Sequence, residues 1–136
     1  MPEILQNKQM RILGIDYGRK KIGLATADGV LAEPLKVLRY QDIGGLSEEI
    51  KKIVHDLKVE KIVMGVSEGK MAEETKKFGR RLQKKLGIPL IFQDETLSTQ
   101  QAQELSIKAG IKRKKRRELE DAYSATLILQ SYLDSR

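Results

Sequence analysis

A chain of 136 residues with 26 Lys and Arg against 19 Asp and Glu carries a formal charge of +7, which favours polyanionic partners. Its 40% hydrophobic content suffices for one core, so a single domain over 11–136 is expected behind a loose leader at 1–10. With no cysteine, disulfide frameworks and thiolate zinc sites are excluded, and no apolar run approaches the ~18 residues of a membrane span.

Arg11-Ile12-Leu13-Gly14-Ile15-Asp16 is a short apolar run ending in an acid, and reads as a buried strand that emerges at the Tyr17-Gly18 turn. After Arg19-Lys20-Lys21, the segment Ile22 to Ala27 reads as its hairpin partner. Leu35-Lys36-Val37-Leu38-Arg39 alternates apolar and basic residues, as a strand with one wet face does. Ile50, Ile53, Val54 and Leu57 recur at helical spacing behind Ser47, the expected N-cap. Lys61 to Val66 is a buried strand. Thr75, Phe78, Gly79, Leu82 and Leu86 form the stripe of a second helix, closed by Gly87 and Pro89. Leu90-Ile91-Phe92 is a fifth strand, ending at Asp94-Glu95. Ser98 and Gln101 make a capping-box pattern for a third helix that stops near Gly110. Leu119, Ala122, Thr126, Leu129 and Leu133 mark a closing helix.

The order βββαβαβαα predicts an α/β fold: a mixed five-stranded sheet with helices on both faces. Strands joined through helices must run parallel, because a crossover returns the chain to the same end. The first, fourth and fifth strands then share one C-terminal edge, where ligands bind in such folds. Asp16 and Glu95 meet there, although they are remote in sequence.

Asp16, Glu95 and Asp121 are the candidate catalytic and metal-binding residues. Singly each has an ordinary reading, as a turn residue, a helix-dipole partner or a surface acid. Together they are more specific. Asp121 opens the last helix, with small Ser124 and Ala125 on its face leaving room for a phosphate. Three carboxylates within ~5 Å would repel by about 3 kcal/mol per pair at an effective dielectric of 20, a penalty that a divalent cation removes. Oxygen donors alone favour Mg²⁺ or Mn²⁺ over zinc. Two such ions would suit an in-line attack of water on a phosphodiester. His55 sits on a helix beside the core positions Val54 and Leu57 and reads as a partly exposed structural residue.

Two basic segments are candidates for holding nucleic acid: Arg19, Lys20 and Lys21 in the first turn, and Lys112, Arg113, Lys114, Lys115, Arg116 and Arg117 as a loop before the closing helix. With aromatics at 4%, base stacking has little material, so backbone recognition is expected.

Gly14-Ile15-Asp16-Tyr17-Gly18-Arg19-Lys20-Lys21-Ile22-Gly23-Leu24-Ala25 resembles the opening motif of the YqgF (RuvX-like) family. Asp94-Glu95-Thr96-Leu97-Ser98-Thr99 resembles its second motif, and Asp121 to Leu133 its closing helix. The likeness runs from about Met10 to Leu133. It implies a ribonuclease-H-like fold related to Holliday-junction resolvases, and a cytoplasmic nuclease that trims the 5′ end of 16S rRNA precursors. It also maps the family's metal-binding acids onto Asp16, Glu95 and Asp121. Two features depart from the family. The segment Gly65 to Lys70 lacks the usual Gly-x-Pro, and Thr96 stands where an arginine is usual. A resolvase acting on branched DNA and a non-catalytic basic RNA-binding factor are the alternative functions. No membrane partner is expected, and the chain is expected as a monomer or weak homodimer.

Overall fold

The computed structural model describes residues 10–67, 69–94 and 113–136, without the side chains of 70 and 113–118. Its elements are β1 (Arg11–Asp16), β2 (Lys21–Asp28), β3 (Ala32–Arg39), α1 (Ile43–Leu57), β4 (Lys61–Val66), α2 (Lys70–Leu86), β5 (Leu90–Asp94) and α3 (Arg113–Ser135). The strands form one sheet in the order β3-β2-β1-β4-β5. β1 pairs antiparallel with β2 and parallel with β4, and β4 pairs parallel with β5. This is the mixed five-stranded sheet expected from the element order. The C-terminal ends of β1, β4 and β5 lie along one edge. The expected helix at 98–110 lies outside the described residues, as does the leader before Met10.

The central strands are apolar on both sides because both faces of the sheet are covered. Alternation sorts their side chains. Leu13 and Ile15 of β1, Ile22 and Leu24 of β2, and Ile62 and Met64 of β4 pack with Leu46 and Ile50 of α1 and with Phe78 and Leu82 of α2. The intervening Ile12, Ala25, Ala27 and Val63 pack with Ala125, Ile128, Leu129 and Leu133 of α3. So α1 and α2 cover one face, and among the described residues α3 alone covers the other, touching all five strands. No described helix is long and apolar enough to cross a membrane.

The structure corrects two expectations. α1 starts earlier than its apolar spacing suggests: Asp42 is the N-cap, its carboxylate accepting the Gly45 N–H at 2.7 Å. Ser47 is inside the helix, buried, donating to the Ile43 carbonyl at 2.9 Å. The poor helix formers Gly44 and Gly45 hide that start in the sequence, and the cap outweighs them. The second correction concerns the basic run. Arg113 to Arg117 are helical, forming the opening turns of α3 rather than a loop before it. Lys and Arg are good helix formers, and five of them in succession extend the closing helix upstream of its apolar stripe.

Leu129 is fully buried between α3 and the sheet. Leu129→Ala is expected to cost about 3 kcal/mol through lost burial and a cavity, and Asp42→Ala about 1 kcal/mol through the lost cap. Urea unfolding of both variants measures the two effects.

Candidate active site

Strand alternation aims Asp16. Ile12 of β1 points toward α3, and a Cβ built on Gly14 would meet Leu129 of α3 at 2.9 Å, so Asp16 shares that face. Across the ladder Asp16 pairs with Gly23. A Cβ on Gly23 would overlap the Asp121 carbonyl oxygen and lie 2.7 Å from the Ala122 nitrogen. The backbone of α3 therefore rests on β2 at Asp121, beside the residue that faces Asp16. Topology and one missing side chain bring the two acids together.

Asp16 and Asp121 line one open cleft of about 310 Å³ with Tyr17, Gly18, Arg19, Lys20 and Lys21. The Asp121 side chain is 27% exposed, and Lys21 Nζ lies 3.1 Å from its Oδ2. That oxygen is shut from solvent, and the lysine approaches it outside hydrogen-bonding directions. The contact is thus Coulombic. A carboxylate oxygen enclosed in this way, in a cleft with a second carboxylate and no sulfur or imidazole, suits a hard cation that takes oxygen ligands.

The β1–β2 turn that carries the cations is fixed from three sides. The Tyr17 ring stacks on Phe78 of α2, with centroids 4.8 Å apart and planes 22° from parallel. The Tyr40 hydroxyl donates to the Gly18 carbonyl, and the Tyr40 N–H donates to the Lys20 carbonyl at 3.1 Å. Burial pushes the Tyr40 phenol well above its ordinary range, so it remains a neutral donor. Arg19 directs Nε and Nη2 at the same Glu74 oxygen of α2, at 3.1 and 3.0 Å. A Cβ on Gly18 would come 2.6 Å from the Lys21 carbonyl oxygen, so the turn closes tightly on itself.

The sequence candidates therefore divide. Asp16 and Asp121 share the cleft. Arg19 is engaged by Glu74 and Lys21 by Asp121, while Lys20 is exposed at the rim. Glu95 and Lys112 lie outside the described residues. Arg113 to Arg117 enter α3, with Arg117 about one turn before Asp121. Ala125, expected to leave room for a phosphate, instead allows close packing: its carbonyl oxygen is 3.1 Å from the Cβ position of Gly14. His55 is almost fully exposed on α1, 3.5 Å from Asp56, so it is not the structural residue expected of it. Sequence reading missed Tyr40 and Glu74, whose roles depend on contacts across 22 and 55 residues. Nothing in their own neighbourhoods signals them.

A family model described as RuvX, Holliday junction resolvase, matches residues 10–135. A relative from Syntrophus aciditrophicus, named "Putative pre-16S rRNA nuclease", is 42% identical over 134 residues, covering 93% of this chain and 89% of its own. One of the same name from Carboxydothermus hydrogenoformans is 41% identical over 133 residues, covering 92% and 96%. Among solved structures, Thermus thermophilus RuvC in complex with a Holliday junction substrate superposes with a TM-score of 0.63. It is 18% identical, over 93% of this chain and 96% of that one. The fowlpox virus resolvase with Holliday junction DNA gives 0.67 at 13% identity, over 93% and 98%. At such identities the likeness is one of fold, and that fold is ribonuclease-H-like.

Gly23 and Gly65 both face α3, but their obstacles differ. Gly23 meets backbone of α3, whereas Gly65 meets the flexible end of Ile128. Gly23→Ala should cost about 3 kcal/mol or more and Gly65→Ala about 1, as overpacking against rigid and yielding neighbours respectively. Equal losses on urea unfolding would contradict the close approach at Asp121.

Proposed function

The chain belongs to the RuvX family, and we propose that it is a metal-dependent nuclease that processes the 5′ end of precursor 16S rRNA. The observation that carries this reading is the shared cleft of Asp16 and Asp121, rimmed by Lys20 and Lys21. The relatives at 41–42% identity are named for that RNA, which favours it over branched DNA. The proposed setting is the cytoplasm, with the chain acting as a monomer or weak homodimer and residues 11–136 as one nuclease domain.

Asp16 and Asp121, joined by Glu95, which directly follows the last residue of β5, would hold Mg²⁺ or Mn²⁺, a pair of ions in the two-metal reading. Bound there, the metal supplies Lewis acidity and an activated water for phosphodiester hydrolysis. The protein's own groups do the rest. Lys21 offsets the charge of Asp121 and limits repulsion between the carboxylates. Lys20, exposed beside the cleft, is placed to meet a phosphate. The Arg19–Glu74 pair and the Tyr17–Phe78 stack keep the turn from moving when a polyanion docks. Arg113 to Arg117, one to two turns ahead of Asp121 along α3, would add positive charge for holding the chain that is being cut.

A resolvase reading rests on the description of the family model. Paired metal-dependent nicks on a four-way DNA junction, with no cleavage of precursor RNA, would move the assignment to that activity.

Asp16→Asn keeps the size of the side chain and removes its charge. It is expected to lower cleavage of precursor 16S rRNA in Mn²⁺ or Mg²⁺ beyond the roughly 10–100-fold that outer-sphere partners of a metal are worth. Its circular dichroism and most of its RNA binding should remain. Wild-type cleavage by folded Asp16→Asn protein would refute the assignment.

A further inference from the structure

α2 is one of two strongly basic stretches of the chain. Its 17 residues include seven basic and two acidic side chains, a net +5 against +7 for the whole chain. Both acids stand in its first half, and from Thr75 to Leu86 there are six cations and no acid. The neighbouring α1, on the same face of the sheet, mixes Glu48, Glu49 and Asp56 with Lys51 and Lys52. An ordinary solubilising surface looks like α1.

The cations of α2 are arranged in one field. Thr75, Phe78, Gly79 and Leu82 are buried against the sheet, and Lys77, Arg80, Arg81 and Lys84 are exposed on the opposite side. Lys85 is held by Glu48 of α1. None of those four exposed cations has a carboxylate within ion-pair distance among the described residues. Lys76–Arg80, Lys77–Arg81, Arg80–Lys84 and Arg81–Lys85 are like-charge pairs at the i, i+4 spacing, which weakens a helix. The helix dipole favours cations only in the last turn, so it accounts for Lys84 and Lys85 but not for the others.

Glu74, Lys77, Arg81 and Lys84 follow one another at steps of three, four and three residues, a single row along the helix. Glu74 is the residue that grips Arg19 at the rim of the acidic cleft. The row therefore begins at that rim and leads away from it along α2. From Lys77 to Lys84 the rise is about 10 Å, the axial reach of about three phosphates of one strand at 3.4 Å each. The face has neither exposed aromatics nor apolar side chains that would serve a membrane or a protein interface.

We propose that the exposed face of α2, centred on Lys77, Arg80, Arg81 and Lys84, is a second nucleic-acid surface that binds the phosphate backbone of a duplex segment of the substrate, outside the cleft. This rests on the nuclease reading. The surface is independent of sequence, since a row of point charges reads backbone and not bases. It extends the footprint of the enzyme away from the cut and gives preference to substrates with a structured flank.

The test measures binding without turnover. Fluorescence anisotropy in chelator follows a short RNA duplex and a DNA duplex of the same sequence between roughly 50 and 200 mM salt. The triple variant Lys77→Gln, Arg81→Gln, Lys84→Gln is compared with Lys36→Gln, Lys51→Gln, Lys52→Gln, which removes the same charge from other exposed positions. Gln keeps helix propensity, and circular dichroism checks both folds. Should the first triple fail to fold, Lys77→Gln with Lys84→Gln replaces it, against Lys36→Gln with Lys51→Gln. The expected result is a salt slope shallower by about 2 to 3 for the α2 triple and by less than about 1 for the control. A larger drop on RNA assigns the surface to RNA, and equal drops assign it to the phosphodiester backbone in general; either supports the proposal. Equal effects of the two triples would overturn it. So would unchanged duplex binding with loss of binding to phosphatidylserine vesicles. Wild-type protein that binds neither duplex would instead remove the nuclease reading on which the proposal rests.

Discussion

Helix α3 can lie on the sheet only where no side chain stands in its way, and that steric condition organises the molecule. Gly14, Gly23 and Gly65 sit on the face toward α3 in three adjacent strands, with Ala25 and Ala27 beside them. Close contact lets Leu129 and Ile128 fill the remaining space, so α3 is located by packing and not by its own helix propensity. At Gly23 the approach is backbone on backbone. Because Gly23 pairs with Asp16 across the ladder, the same contact fixes how far Asp121 can be from Asp16. Core packing and the geometry of the cleft are therefore one feature.

Two acids held close together need compensation. Lys21, next to the turn and two residues before Gly23, provides part of it at 3.1 Å from Asp121. Since the lysine is 40% exposed, the pair is worth at most about 1 kcal/mol and can open without upsetting the fold. The turn around it is held more firmly, by a ring stack, two hydrogen bonds from Tyr40 and the Arg19–Glu74 pair. The result is a firmly held rim around a weak, half-exposed ion pair.

Much of this was legible in the sequence. Short apolar runs bounded by turn residues, with period-two alternation at Leu35 to Arg39, marked the five strands, and the parallel rule placed the end of β1 at the ligand edge. The place of Asp16 at the end of a buried strand, on that edge, was legible from the same pattern, although by itself it fits a turn residue equally well. Other features were not legible, for physical reasons. Ser47 passed for the α1 cap because Gly44-Gly45 reads as a turn, whereas the Asp42 hydrogen bond to Gly45 carries the helix through it. The basic run read as a loop because charge density says nothing about backbone conformation. Glu74 and Tyr40 act only through partners distant in the chain, and the pairing of Arg19 with Glu74 appears only once α2 is folded against the turn. The glycines were visible as letters, but their shared purpose depends on the register of three strands.

The measurement closest to the heart of the account is a Mn²⁺ titration followed by electron paramagnetic resonance of the free ion. It uses wild-type protein, Asp16→Asn, Asp121→Asn and the double variant. If both carboxylates serve one cation site, each single change removes most of the tight binding and the double change removes little more, a strongly non-additive cycle. Losses that add in full, or a tight site that survives either single change, would show that the two acids do not share a cation.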